Sequence, residues 1–455
     1  MAGDTRTRHS SAGPRTGSIG LVSCVAFAVG TMVGAGVFVL SGLAVQRSGP
    51  AAMAAFVLAG VLVLLSALSF AVVASLAPPG GSGYAYVGQA LGRRWGFLTS
   101  WAFWLGGVIG VAFVLNAFGS YLHDFFVSAL PATLVAVAAV VVIALLNLGP
   151  ASLIGRAETA LVVVKVAILV LLIVFAFLHL GRARFTPFAP HGAGSVVTTS
   201  ALLFIAYLGF NVVTNMAGEV DRPQRTIPLA ILLSMGIVAL IYLGVVVALL
   251  AGQISTYDEA SVGTAAKHLI GTWGGILIPI GALISTLSAA NANMLGSSEI
   301  MVRLAADRQV PTVAGRLWHG HPAVSVLAGA VTAVILVLTG GIQVIVALGN
   351  VAAIVAMVLV NAAAFQAQRR EHRAGIRLPA GPLLPALGLL AALAQLVFIG
   401  WWQTLLGLVL VAAGLGLHAL RGHHQDQHRA VITDHLSRNA GPAGRALRRH
   451  PVKEA

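Results

Sequence analysis

Two short stretches of this sequence set glycine and polar residues inside apolar segments of bilayer length. The first reads Gly30-Thr-Met-Val-Gly34-Ala-Gly36-Val-Phe38, and the second reads Phe204-Ile-Ala-Tyr-Leu208-Gly209-Phe210-Asn211-Val-Val-Thr214-Asn215. Glycine in a helix interior costs up to about 1 kcal/mol relative to alanine, and unpaired backbone in lipid costs several kcal/mol more. Both stretches therefore predict helices interrupted where they line an enclosed cavity. An interrupted helix offers free N–H groups at the positive end of one half and free carbonyls at the negative end of the other. That pair suits a carboxylate and an ammonium held a few ångströms apart, as in a zwitterion such as an α-amino acid. A third chemical group is Lys165, which lies in an otherwise apolar run. A lysine at bilayer depth costs about 2.5–3.5 kcal/mol on insertion scales, so it must meet a polar partner or release its proton.

Each feature has a plainer reading. Gly30-x-x-x-Gly34 is the spacing that lets two membrane helices approach closely, although this leaves Gly36 unexplained. A dinucleotide fingerprint would need a third glycine at position 39, which is Val39, and a βαβ context that is absent. Lys165 stands eight residues beyond Ala157, about 12 Å along a helix, and its long stem could carry the amine back to the membrane surface.

The elements that must position these groups follow from composition. Of 455 residues, 58% are hydrophobic and only 9% charged, with a mean hydropathy of +0.93. A soluble domain carries about 25% charged residues, so a cytosolic globular enzyme is excluded. The formal net charge of +14 is spread over short segments between apolar runs and the C-terminal tail, not gathered in a stripe for nucleic acid. Cys24 is the sole cysteine, which leaves no intrachain disulfide or cysteine-based metal site.

A membrane helix needs about 20 mostly apolar residues. Twelve such runs are found near 19–46, 52–76, 84–119, 131–148, 157–180, 196–217, 227–251, 271–303, 322–339, 342–366, 382–400 and 402–420. The run following the polar residues 1–18 reads as a span and not as a signal peptide. Spans one and six, which carry the two interruptions, open two five-helix sets. Interruptions at matching positions of two halves point to a carrier with its site at the midplane.

Twenty-two of the 27 lysines and arginines fall on one side of this alternation and four on the other, with Lys165 inside a span. The bias predicts that both termini are cytoplasmic. The chain thus divides into a cytoplasmic segment 1–18, a first repeat 19–180, a second repeat 181–366, two further spans with a basic loop before them in 367–420, and a disordered cytoplasmic tail 421–455. Glu299 with Arg303 four residues on predicts an ion pair on a helix surface, and Asp221, Arg222 and Arg225 with Glu219 form a loop whose charges could latch to Arg93 or Arg94.

On these residues the chain resembles the amino acid–polyamine–organocation permeases, most of all their sodium-independent, proton-coupled amino acid permeases. The resemblance spans about 18–420. Besides the two interruptions, it rests on Pro79-Gly-Gly-Ser-Gly-Tyr-Ala-Tyr86, Gly155-Arg-Ala-Glu158 leading to Lys165, Glu219-Val-Asp-Arg-Pro-Gln-Arg-Thr-Ile-Pro228, and Asn291-Ala-Asn-Met294. It implies an all-α integral membrane fold with a five-plus-five inverted repeat and two extra helices, a plasma-membrane location and alternating access.

By similarity, the amides of Ala35 and Gly36 would take a substrate carboxylate. The carbonyls of Met32, Ile205 and Leu208 would take its ammonium, and Phe204 and Phe210 would cover its side chain. Lys165 would be a titrating amine in the place of a coupling sodium ion, with the Gly30 carbonyl and Ser285 or Ser288 as partners. Asn211 and Gly218 stand where many members carry carboxylates, and Glu299 stands where a basic residue is common; the first of these departures removes an anion for a cationic substrate and favours neutral amino acids over arginine or polyamines. The implied partners are an amino acid, protons and the bilayer, with no cofactor, metal or nucleic acid. An exchanger or exporter of the same superfamily is the alternative. An intramembrane enzyme would need a nucleophile with a base, or metal ligands, at membrane depth, whereas His123, Asp124, Glu158 and His179 fall near span ends. A channel fits paired interruptions less well than an enclosed site does.

Overall fold

The computed structural model describes residues 19–76, 83–148, 154–215, 220–318, 321–370, 375–416 and 418. Expectations attached to residues 1–18, Gly218, Glu219 and the tail from 421 lie outside these residues, as do the side chains of Arg156 and Glu158.

The described chain is helical, with no strand and two isolated bridges. Backbone groups in lipid must be satisfied within their own segment, which leaves the helix as the solution for apolar runs of this length. The helices are α1 (Leu21–Met32), α2 (Ala35–Ser48), α3 (Ala52–Ser75), α4 (Gly83–Leu91), α5 (Arg93–Phe125), α6 (Ala132–Asn147), α7 (Ile154–Leu178), α8 (Ala193–Leu203), α9 (Asn211–Asn215), α10 (Pro223–Ala251), α11 (Ser261–Ile270), α12 (Gly274–Ala306), α13 (Ala323–Thr339), α14 (Ile342–Arg369) and α15 (Leu383–Phe398). A last helix, α16 (Trp401–Gly416), closes the series.

Six segments are long and apolar enough to cross a bilayer: Ala35–Ser75, which joins α2 to α3, Arg93–Phe125, Leu161–Leu178, Pro223–Ala251, Gly274–Ala306 and Ile342–Arg369. Six more are apolar but shorter, among them α1 and the α8 segment, each of which is one half of an interrupted run.

Two boundaries differ from the sequence reading. The run at 84–119 is two helices, because Gly92 adopts φ +101° and turns the chain between α4 and α5. The segment 261–270, placed between spans seven and eight, forms α11. Asp258 organises its start, since its Oδ1 accepts from the amide of Ala260 (3.0 Å) and the hydroxyl of Ser261 (2.9 Å).

Long α5 packs along α12 and α14 at the centre of the bundle, while α10 lies against α1, α3 and α7. Polar side chains join several of these helices. Asn147 on α6 donates to Asn291 on α12 (2.8 Å), and Asn361 on α14 donates to Ser66 on α3 (2.9 Å). Ahead of α1, Ile19 pairs in parallel with Val220, and its carbonyl accepts from the amide of Asp221 at 3.0 Å. The chain entering α1 is thereby tied to the chain that leads into α10.

Candidate site at two crossed helix interruptions

The first interruption falls between Met32 and Ala35. Val33 leaves the helical region (φ −76°, ψ 71°), and Gly34 (φ −111°, ψ −146°) occupies the N-cap of α2 with no side chain to cap its amides. The three glycines do different work. Gly30 remains helical inside α1, where a Cβ would lie 2.6 Å from a methyl of Val162 on α7. Gly34 is the break itself. Gly36, in the first turn of α2, would place a Cβ 3.2 Å from the Cα of Ala206. Close packing thus accounts for Gly30 and Gly36, and Gly34 marks the break.

In the second interruption α8 tightens into a 3₁₀ turn, Phe204–Tyr207, and Leu208 is extended (φ −69°, ψ 141°). Gly209 then takes φ +131°, open to a residue without a Cβ, and α9 resumes at Asn211. A Cβ on Gly209 would lie 3.1 Å from the amide nitrogen of Met32. The interruptions therefore cross, with Gly209 against Met32 and Gly36 against Ala206. Met32, Ala35, Gly36, Phe204 and Phe210 are buried at this crossing, and Ile205 and Leu208 are partly buried. The ring of Phe210 stands edge-on to Phe70 at 5.9 Å between centroids.

An interrupted helix leaves carbonyls without their i+4 amides, and side chains of other helices take up most of those seen here. Met32 O accepts from the amide of Gly34 (2.8 Å) and the hydroxyl of Tyr242 on α10 (3.1 Å). Val33 O accepts from Ser285 Oγ on α12 (3.3 Å). At the second interruption, Ala201 O and Leu202 O accept from Asn350 Nδ2 on α14 (2.7 and 3.2 Å), Ile205 O accepts from the amide of Leu208 (3.1 Å), and Ala206 O accepts from the Tyr242 hydroxyl (2.6 Å). Tyr121 on α5 donates to Phe38 O in α2 at 2.9 Å. Reading the sequence missed Tyr242, Asn350 and Tyr121. The signal available was a polar side chain alone in an apolar helix, the usual glue between membrane helices.

Lys165 lies about 17 Å beyond the start of α7 and is 2% exposed, the sole buried charged residue among those described. One turn before it, Val162 rests against Gly30 of α1, and one turn after it, Ile168 rests against Gly281 of α12. Residues three apart share a helix face, so Lys165 belongs to the face that meets the seam between α1 and α12. Ser285, one turn beyond Gly281, and Ser288 are buried on α12. The structure thus gathers Lys165, Gly30, Ser285 and Ser288 along one seam, and the burial of Lys165 runs against an amine carried to the surface.

The expected ion pair on α12 does not form. Glu299 and Arg303 are both exposed, and no ion pair joins them. Two exposed charges one turn apart gain little over their hydration. Arg93 donates to the backbone carbonyl of Asp307 (3.5 Å), and Glu219 of the expected latch lies outside the described residues.

Comparison with known proteins agrees with this architecture. The chain is 30% identical over 311 residues to the inner membrane transport protein YbaT of Escherichia coli, covering 66% of this chain and 72% of that protein. It is 26% identical over 430 residues to the branched-chain amino acid permease BcaP of Bacillus subtilis, covering 88% and 92%. It is 28% identical over 309 residues to cationic amino acid transporter 5 of Arabidopsis thaliana, covering 63% and 53%. The amino acid permease profile matches residues 24–413, a stretch that holds both interruptions, Lys165 and the α12 serines. The chain belongs to the amino acid permease family.

Proposed function

We propose that this chain is a secondary carrier of neutral α-amino acids, coupled to protons and independent of sodium. It works by alternating access with twelve spans, two inverted five-helix sets and two further helices, in a plasma membrane with both termini cytoplasmic. The observation that carries this reading is the crossing of the two interruptions, with the first turn of α2 and its uncapped amides resting on Ala206, beside Ile205 and Leu208 in the chain.

In this reading the amides hold the substrate carboxylate, and Phe204 and Phe210 cover its side chain. A carbonyl oxygen has two lone pairs. That of Ile205 accepts one bond within the protein and keeps room for an ammonium, whereas that of Met32 already accepts two. Asn211 supplies no negative charge for a cationic side chain. BcaP is named for branched-chain amino acids and the Arabidopsis relative for cationic ones, so the neutral preference rests on Asn211.

Lys165 supports proton coupling, because an amine in the α1–α12 seam can tie the broken first span to α12 when charged and let go when neutral. The outer half of the first span is buried throughout Ala35–Val45, and its end is held by Ser48 to Thr199 (2.6 Å) and by Arg47 to Gln343 (2.6 Å). The inner half exposes Val22, Phe27 and Thr31 on one side. This asymmetry fits a state sealed on the outer side.

The test is uptake of labelled amino acids into proteoliposomes with an imposed pH gradient and no sodium, with competition by all the others. Accumulation without sodium, lost when the substrate's amine or carboxylate is blocked, is the expected result. An absolute sodium requirement overturns the coupling, and uptake seen only against preloaded amino acid identifies an exchanger.

A further inference from the structure

Tyr242 is fully buried on α10, with its ring 4.9 Å from Phe56 and edge-on to Tyr207 at 5.2 Å. Its hydroxyl reaches one carbonyl from each interruption, Met32 O at 3.1 Å and Ala206 O at 2.6 Å. These oxygens belong to the C-terminal ends of α1 and of the α8 segment, where helix dipoles place partial negative charge. Without a donor between them, two such carbonyls repel and each loses a partner in a dry setting. The hydroxyl has a single proton, shared between two acceptors. Tyr207 is not a rival for either carbonyl, since its own hydroxyl donates to Phe56 O at 3.0 Å.

We propose that Tyr242 is the positioning residue that sets the spacing between the two interruptions. By joining Met32 to Ala206 it holds α2, whose first turn rests on Ala206, in register with the turn that carries Ile205 and Leu208. A small zwitterion has a fixed distance between its ammonium and its carboxylate, so a site that grips both ends through backbone must hold its two halves at a matching distance. Packing of a phenol ring holds α10 in place; the hydroxyl is the part of Tyr242 that bonds both interruptions, beside the direct contacts of Gly36 with Ala206 and Gly209 with Met32. This inference rests on the amino acid carrier reading.

The test is Tyr242→Phe, which keeps the ring, beside Ser234→Ala, which removes another buried hydroxyl of α10 that bonds within its own helix to Ile231 O. Uptake of labelled L-alanine, L-serine and L-leucine by proteoliposomes is measured together with thermal unfolding. Tyr242→Phe is expected to raise KM about ten-fold, with the maximal rate within about two-fold and the unfolding midpoint nearly unchanged, while Ser234→Ala changes neither constant. A second arm needs no substrate. Spin labels on Phe27→Cys in α1 and Thr198→Cys in α8, in a Cys24→Ser background, report the spacing of the two spans, and Tyr242→Phe is expected to broaden that distance distribution. A KM within two-fold of the parent, an unchanged label distance, or a loss of rate that follows thermal destabilisation in both variants overturns the role. If the parent carries none of these amino acids, the carrier reading fails, and the label distances still decide whether the hydroxyl holds the two breaks together.

Discussion

A Cβ placed on Gly36 would meet both the Cα and the Cβ of Ala206 at 3.2 Å, so the first turn of α2 sits directly on the interruption of the sixth span. Gly36 thus allows close approach of the two backbones in the turn that carries the uncapped α2 amides. Gly36→Val is expected to abolish substrate binding, measured by calorimetry on detergent-purified protein, while the variant still elutes as a single species. Gly36→Ala should lie between the two. Parent-like affinity in the valine variant would show that this turn is a packing device alone.

Gly30 makes a different prediction because it stays inside α1 and faces Val162. Gly30→Ala gains up to about 1 kcal/mol of helix propensity but must push aside the Val162 methyls, and overpacking costs about 1–3 kcal/mol. A net loss of stability is expected. Val162→Ala should relieve it, giving a coupling of about 0.5 kcal/mol or more in a double-mutant cycle followed by thermal unfolding. Strict additivity would place the alanine somewhere other than against α7.

For Lys165 the decisive comparison is between two substitutions. Lys165→Ala removes the charge that can tie α1 to α12, and uptake should no longer respond to a pH gradient. Lys165→Arg keeps a charge that does not titrate and should bind substrate but fail to turn over. Each proton carried inward brings about 2.3 kcal/mol per 100 mV, so the coupled protein should accumulate substrate further as the membrane potential is raised. Parent-like concentration of substrate by either variant under an imposed gradient would send the proton by another route.

Asn350 caps the end of α8, donating to the carbonyls of Ala201 and Leu202, whose helical partners are lost at the turn beginning with Phe204. Asn350→Leu leaves both carbonyls buried and unpaired. The expected cost is about 1–2 kcal/mol, seen as a lower unfolding temperature, with weaker substrate binding because the 3₁₀ turn loses its anchor. An unchanged midpoint would mean that water or backbone shifts satisfy these groups.

Much of this protein was written locally. Apolar runs of bilayer length must become helices because lipid offers backbone groups no other partners, and the runs at 227–251, 322–339 and 342–366 reappear as α10, α13 and α14 within a few residues. The breaks were legible for the same reason, since glycine at 34 and 209 is expensive in a helix unless the helix stops, while Gly36 lies within α2. The burial cost of Lys165 could likewise be read from its neighbours alone. What takes up the freed carbonyls was not legible. Tyr242 stands 210 residues from Met32 and 36 from Ala206, and Asn350 stands 149 from Ala201, so only the packing of α10 and α14 against the interrupted spans brings donor to acceptor. Local backbone chemistry decides where a membrane helix must break, but which distant side chain satisfies the break depends on how the helices pack, and tertiary structure alone decides that.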